Sequence, residues 1–155
     1  MLYGVSPIES FQRELRLALA LKTRVALVRS LAKGASISYG RTFIAKQPMT
    51  VATLAIGYGD GYPRHLSNVG AEVLIGGRRC PILGRVTMDQ VVVDAGGVPG
   101  IAPGDEAVLI GRQGGDEITA AEVAQLSGTI PWEILTGIAK RVRRVYFGAG
   151  KLARG

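Results

Sequence analysis

Three short stretches of the 155-residue chain gather residue types that move protons or bind anions. In "SISYGRTF", residues 36–43, Tyr39 stands between a serine and a glycine at what reads as the end of a strand, with Arg41 two residues on. In "GYGDGYPRHL", residues 57–66, Tyr58, Asp60, Tyr62 and Arg64 share a glycine-supported loop. In "GRVTMDQ", residues 84–90, Arg85, Met88 and Asp89 lie between two apolar runs. A phenol whose ordinary pKa is about 10 works as an acid or base near neutrality when it is held beside positive charge. A lone tyrosine on a strand, with its hydroxyl at the surface, needs no such role. From residue types alone both readings of Tyr39 stand. The other two stretches are likewise either polar turns or loops that build a site on a rigid β-scaffold.

Several chemistries are excluded by what accompanies these stretches. The "GYGDGY" segment fits neither the phosphate-cradling Walker pattern nor a dinucleotide glycine motif opening a helix. A Ser-His-Asp triad would need His65, the only histidine, and neither Ser38 nor Ser67 sits in a nucleophile elbow. One cysteine, Cys80, forms no internal disulfide, and with a single histidine it makes no Cys/His zinc site, so no metal ligands are assigned. The cysteine usage suits a reducing cytoplasm.

The elements that must position these loops read as mostly β. Residues 16–29 alternate as one long strand or two, and residues 49–57 as another. Residues 71–83 have the form of a hairpin joined through Gly76-Gly77. Residues 89–96 and 105–111 are further short strands, divided by the turn-rich "GGVPGIAPG". Thr119 and Glu122 have capping-box spacing ahead of a short helix ending at Gly128, and Pro131 suits the first turn of a second helix over 131–141. "RVYFG", residues 144–148, closes as a possible strand. The expected class is mainly β, a small β-barrel with one or two short helices.

With 47% hydrophobic residues and a mean hydropathy of +0.23 the chain has material for one core. No apolar run of about 18 residues spans a membrane, and the start lacks the pattern of a signal peptide. The net charge is +7, and six of the nineteen basic residues fall at or after position 140. That tail raises a nucleic-acid or protein partner as an alternative, but no recognition-helix, RNA-recognition or zinc-finger pattern accompanies it.

Taken together and in order, "SYGRTF", "AIGYGDGYPR", "ILGRVTMDQ", "GDEAVLIGRQGGDEIT" and "PWEILTGIAKRVRRVY" resemble the carboxy-terminal β-domain of alanine racemase. The likeness runs from about Met1 to Phe147. The resemblance implies a pyridoxal-phosphate enzyme that interconverts L- and D-alanine and supplies D-alanine for peptidoglycan. It implies that Tyr39 is the base that takes the α-proton of L-alanine, and that the backbone N–H of Met88 contacts the substrate carboxylate. Tyr58, Arg64 and Arg85 match residues lining the corridor through which substrate enters. Where relatives carry a tyrosine before "RVPR", this chain has Lys140 before "RVRR".

The family's cofactor is held by an amino-terminal (β/α)₈ barrel of about 250 residues, for which this chain has no room. None of its five lysines lies in the expected cofactor context, so no cofactor-binding residue is assigned. The resemblance divides the chain into a connection (1–15), the β-domain (16–148) and a tail (149–155). In the family's homodimer the β-domain completes the site on the barrel of the other subunit. The chain alone is therefore expected to be inactive. Two alternatives stay open: a non-catalytic β-domain that binds a partner, and a racemase of broader amino-acid specificity.

Overall fold

A computed structural model describes residues 18–147; the expectations for residues 1–15 and 149–155 lie outside that range. The described chain runs β1 (Leu21–Leu31), β2 (Ser36–Ile37), β3 (Phe43–Ile44), β4 (Met49–Leu54), β5 (Glu72–Ile75), β6 (Arg78–Pro81), β7 (Val91–Asp94), β8 (Glu106–Gln113) and β9 (Asp116–Ile118), followed by helices α1 (Ala120–Ser127) and α2 (Pro131–Gly137). The main sheet has the order β6-β5-β8-β1-β4-β7, with β9 on β8. Every pairing is antiparallel.

One long strand connects the two halves of this sheet. The first residues of β1, Leu21 to Arg24, pair with β8, while Val25 to Leu31 pair with β4. A register shift between Val25 and Leu27 adds a residue on β1, and such bulges bend and twist a strand. This lets a single strand serve two ladders. The sheet curls until its outer strands approach, but it does not close into a continuous barrel. Only the Ile82–Val93 bridge and the Leu83 N–H bonded to the Val92 carbonyl at 2.8 Å join the chain after β6 to β7. The mainly β class is as expected.

The core explains why the strands lack simple alternation. Residues 107–111 of β8 are buried without interruption, because the strand is central and α1 adds Ala120, Val123 and Ala124 to the same cluster. Leu109 and Ile110 are fully buried, and each such side chain stabilises the fold by roughly 1.5–3 kcal/mol. A second, smaller cluster of Leu31, Ile37, Ala45, Val51 and Leu83 lies beneath the β2–β3 hairpin. It anchors the turn that carries Tyr39.

The helices follow their caps. Thr119 Oγ1 accepts the Glu122 N–H at 3.0 Å, and Gly128, left-handed at φ 74°, donates to the Ala124 and Gln125 carbonyls. The capping box is only half formed, because the Glu122 carboxylate bonds Arg79 instead, at 2.6 Å. Helix α2 begins with Pro131 as expected but stops at Gly137, four residues before the predicted end at 141. Ile138 leaves the helical region, the Ala139 N–H turns to the Asp60 carbonyl at 2.9 Å, and Arg144 bonds the carbonyls of Ile138, Ala139 and Val142. The strand expected at 144–148 is not formed over 144–147: Tyr146 and Phe147 are 90% and 92% exposed and pair with no strand among the described residues. Among the described residues no helix is long and apolar enough to cross a membrane.

Candidate active-site face

The three loops singled out by residue type are brought together on one face, and residues 85–89 are the hinge of that arrangement. Tyr39 begins a short 3₁₀ turn, Tyr39–Arg41, between β2 and β3. The hairpin is pinned by the pairing of Ile37 with Phe43 and by burial of Ile37. The turn is strained: Ser38 has φ 63° with ψ 178°, and Arg41 has φ 50°. Non-glycine residues in such regions cost of order 1–3 kcal/mol each and persist where surrounding contacts demand them. Here Ser38 Oγ donates to the Arg85 carbonyl at 2.7 Å, and the Arg85 guanidinium lies against Gly40, where a Cβ would stand 3.5 Å from its Cζ. The result is a tyrosine 72% exposed on a turn held in a strained form by the Ser38–Arg85 hydrogen bond.

The second loop packs on the same hinge. The Tyr58 N–H donates to the Thr87 carbonyl at 3.0 Å, and the Gly59 N–H to the Met88 carbonyl at 2.8 Å. Such contact of two backbones leaves no space for a side chain, and a Cβ on Gly57 would meet the Thr87 oxygen at 2.2 Å. The Arg64 turn (Arg64–Leu66) is tied in through Ser67, whose Oγ accepts the Val86 N–H at 3.0 Å and donates to the Arg64 carbonyl at 2.5 Å. Tyr58 and Met88 are 45% and 54% exposed. The Met88 N–H donates to no acceptor among the described residues, so it is available to a ligand.

Not every residue grouped by sequence belongs to this face. Tyr62 is 1% exposed, its hydroxyl has no partner among the described residues, and burial pushes its phenol well above the usual tyrosine range, with Glu122 adding to the effect. It is a core residue. Cys80 is also buried, and desolvation pushes its thiol up to about 11, which keeps it unreactive. Conversely, Arg141 falls in the basic stretch after position 140, yet it bonds Asp60 and Asp89, 81 and 52 residues away. Nothing local in the sequence signals partners at that distance. Arg144, too, is spent on nearby carbonyls rather than left for a polyanion.

A recess of about 780 Å³, bordered by Phe43, Lys46, Met49 and Asp94, lies off this face. A smaller one of about 320 Å³ adjoins it, lined by Arg29, Ser38, Thr87 and Gln90 among others. An aldehyde cofactor would need an amine at the face. Lys22 is paired with Glu106 at 2.9 Å, Lys46 borders the other recess, and among the described residues no lysine bonds Tyr39 or lines the recess beside it. The described residues do not by themselves form a pyridoxal-phosphate site.

The described face is thus a β-domain surface carrying an exposed tyrosine on a strained turn, tied through Ser38 to the Arg85–Met88 segment. Residues 18–146 match the family described as alanine racemase, C-terminal domain, and the chain belongs to it. It is 53% identical over 147 residues to an alanine racemase of Symbiobacterium thermophilum, covering 94% of this chain and 39% of that protein. The crystal structure of an alanine racemase from Bacillus anthracis with bound L-Ala-P superposes with a TM-score of 0.86 at 45% identity, over 96% of this chain and 39% of that one. An alanine racemase from Bartonella henselae with covalently bound pyridoxal phosphate gives 0.83 at 34% identity, over 94% and 39%. The chain thus spans about two fifths of the length of these relatives.

Proposed function

We propose that this chain is the carboxy-terminal half-site of a pyridoxal-phosphate-dependent alanine racemase, which interconverts L- and D-alanine in the cytoplasm and provides D-alanine for peptidoglycan. The supporting observation is the convergence of the Tyr39 turn, through the Ser38 hydroxyl, and of the Tyr58 loop, through backbone hydrogen bonds, on the Arg85–Met88 segment, with Tyr39 left exposed. Residues 16–148 act as the β-domain, with 1–15 as its connection and 149–155 as a tail. The cofactor is carried by a barrel domain of the partner subunit in a homodimer, and this chain alone racemises nothing.

Bound pyridoxal phosphate supplies an electron sink that acidifies the α-proton of alanine. Racemisation then requires proton transfer on both faces of the α-carbon, and this chain furnishes one of the two groups. The phenolic oxygen of Tyr39 takes the α-proton of L-alanine and returns one in the reverse direction. A tyrosine phenol is a weak base at neutral pH, so cationic groups must meet the hydroxyl when the halves join. The Met88 N–H holds the substrate carboxylate, which explains an apolar side chain at such a position. Tyr58, Arg64 and Arg85 line the way in, where the arginines draw an anionic carboxylate and the tyrosine limits its size.

The test is α-proton exchange of L-alanine in deuterated water with pyridoxal phosphate, for the chain alone and mixed with a separately prepared racemase barrel. Exchange and D-alanine are expected only in the mixture, falling roughly 10²–10⁴-fold with Tyr39→Phe. Undiminished exchange in the Tyr39→Phe mixture would remove Tyr39 from the mechanism.

A further inference from the structure

Resting on that reading of the site, we infer that Arg141 is a positioning residue for the racemase reaction: its guanidinium latches the Tyr58 loop to the Met88 segment, so that both meet the substrate in one fixed register. The latch is a fork. Arg141 Nε donates to Asp60 Oδ1 at 2.8 Å and Nη2 donates to Asp89 Oδ1 at 3.0 Å. Asp60 is itself tied into its loop, since its other oxygen, Oδ2, accepts the Gly57 N–H at 3.0 Å. Asp89 directly follows Met88. The Ala139 N–H bonded to the Asp60 carbonyl fixes where Arg141 departs from the chain. One planar cation therefore fixes the acidic side chains of two loops that share no sequence neighbourhood, on top of the Tyr58–Thr87 and Gly59–Met88 backbone hydrogen bonds that join them.

Charge gives the latch a second consequence. Asp60 and Asp89 sit beside the residues proposed to receive an anionic carboxylate, and Arg141 offsets them. Without it, two carboxylates would repel the substrate at the corridor. Stability is a minor part of the arrangement: the Asp60 side chain is 18% exposed, but Arg141 and Asp89 are 51% and 66% exposed, and ion pairs with a partner so open to water add little to folding. The space for the guanidinium depends on Gly59, where a Cβ would stand 2.6 Å from Arg141 Nη2 and 3.0 Å from the Met88 carbonyl oxygen, so that Arg141→Ala, which leaves Met88 untouched, is the decisive variant. Gly59→Ala should expel the cation without altering a charged group.

The experiment uses the complete racemase carrying this domain, with Arg141→Ala, Arg141→Lys and Gly59→Ala. It reads steady-state kinetics with L-alanine, amide hydrogen exchange over residues 57–60 and 87–90, and thermal melting. In Arg141→Ala and Gly59→Ala the KM for L-alanine is expected to rise roughly tenfold with kcat much less affected, as for lost substrate positioning. Exchange in both segments should quicken while the melting temperature stays near wild type. Arg141→Lys should recover part of the KM, as a point charge restores the offset but not the fork. Wild-type KM in Arg141→Ala overturns the inference and leaves the racemase reading intact. A wild-type protein that racemises no alanine removes the reading instead, and the latch then stands or falls on whether exchange quickens.

Discussion

Two arginines organise opposite kinds of region in this domain, and the contrast separates what folds it from what it does. Arg79 on β6 bonds Glu72 on β5 at 3.2 Å, Asp116 on β9 at 3.0 Å and Glu122 on α1 at 2.6 Å, and donates to the Glu117 carbonyl at 2.6 Å. It joins regular elements whose other faces are buried, so each partner is already held in place. Arg141 joins two irregular loops instead, whose backbones meet through the Tyr58–Thr87 and Gly59–Met88 hydrogen bonds and whose acidic side chains it alone bridges among the described residues. Substitution at the first site should therefore appear in stability, and at the second in substrate handling.

The sharpest break of that contrast comes from the loop side. Gly57→Ala places a methyl where the Thr87 carbonyl oxygen lies 2.2 Å away, and backbone cannot yield as a side chain would. In the complete enzyme it should lower turnover of L-alanine about 100-fold, the penalty expected of an ångström-scale misplacement, while the circular dichroism spectrum is retained. On the Arg79 side, Arg79→Ala leaves three carboxylates facing one another. Loss of these charge-assisted bonds should cost roughly 1–2 kcal/mol in urea unfolding, discounted for their partial exposure, with kcat/KM unchanged below the transition. Thr119→Ala removes the cap of α1 and should cost about 1 kcal/mol by the same measurement.

The smallest effect is a pH signature. Hydrogen bonding to Arg79 is the first cause that holds the Asp116 carboxyl below the usual carboxylate range in the folded protein. A carboxyl whose pKa is depressed by folding contributes stability above its unfolded pKa of about 3.9, and that contribution disappears as pH falls through the lower, folded value. Wild-type stability should therefore decline below about pH 4 with a component that Arg79→Ala lacks. Equal acid slopes in the two proteins would show that the Arg79 cluster is not coupled to folding. Unaltered turnover in Gly57→Ala would break the comparison from the other side.

Much of the fold was legible in the chain because its signals are local. The Gly76-Gly77 hairpin, the Thr119 and Gly128 caps and the proline opening α2 each depend on a few neighbouring residues. The end of α2 was not legible, because Ala139 and Arg144 satisfy backbone groups through folds of the chain that periodicity does not register. Nor was the use of Tyr62, whose residue type suits a polar loop yet whose ring fills the core.

For the site, residue type and order in the sequence determined which side chains carry the family's pattern: Tyr39, Tyr58, Arg64, Arg85 and Met88 are all legible in the chain itself. Tertiary structure decided that the segments bearing them meet, that Ser38 and Arg85 hold the Tyr39 turn in a strained form, and that Arg141 leaves the basic tail to join Asp60 and Asp89. The physical reason is one of range. Propensity, capping and hydrophobic period act over a few residues, whereas a guanidinium chooses its carboxylates only after the strands have packed and set the loops side by side.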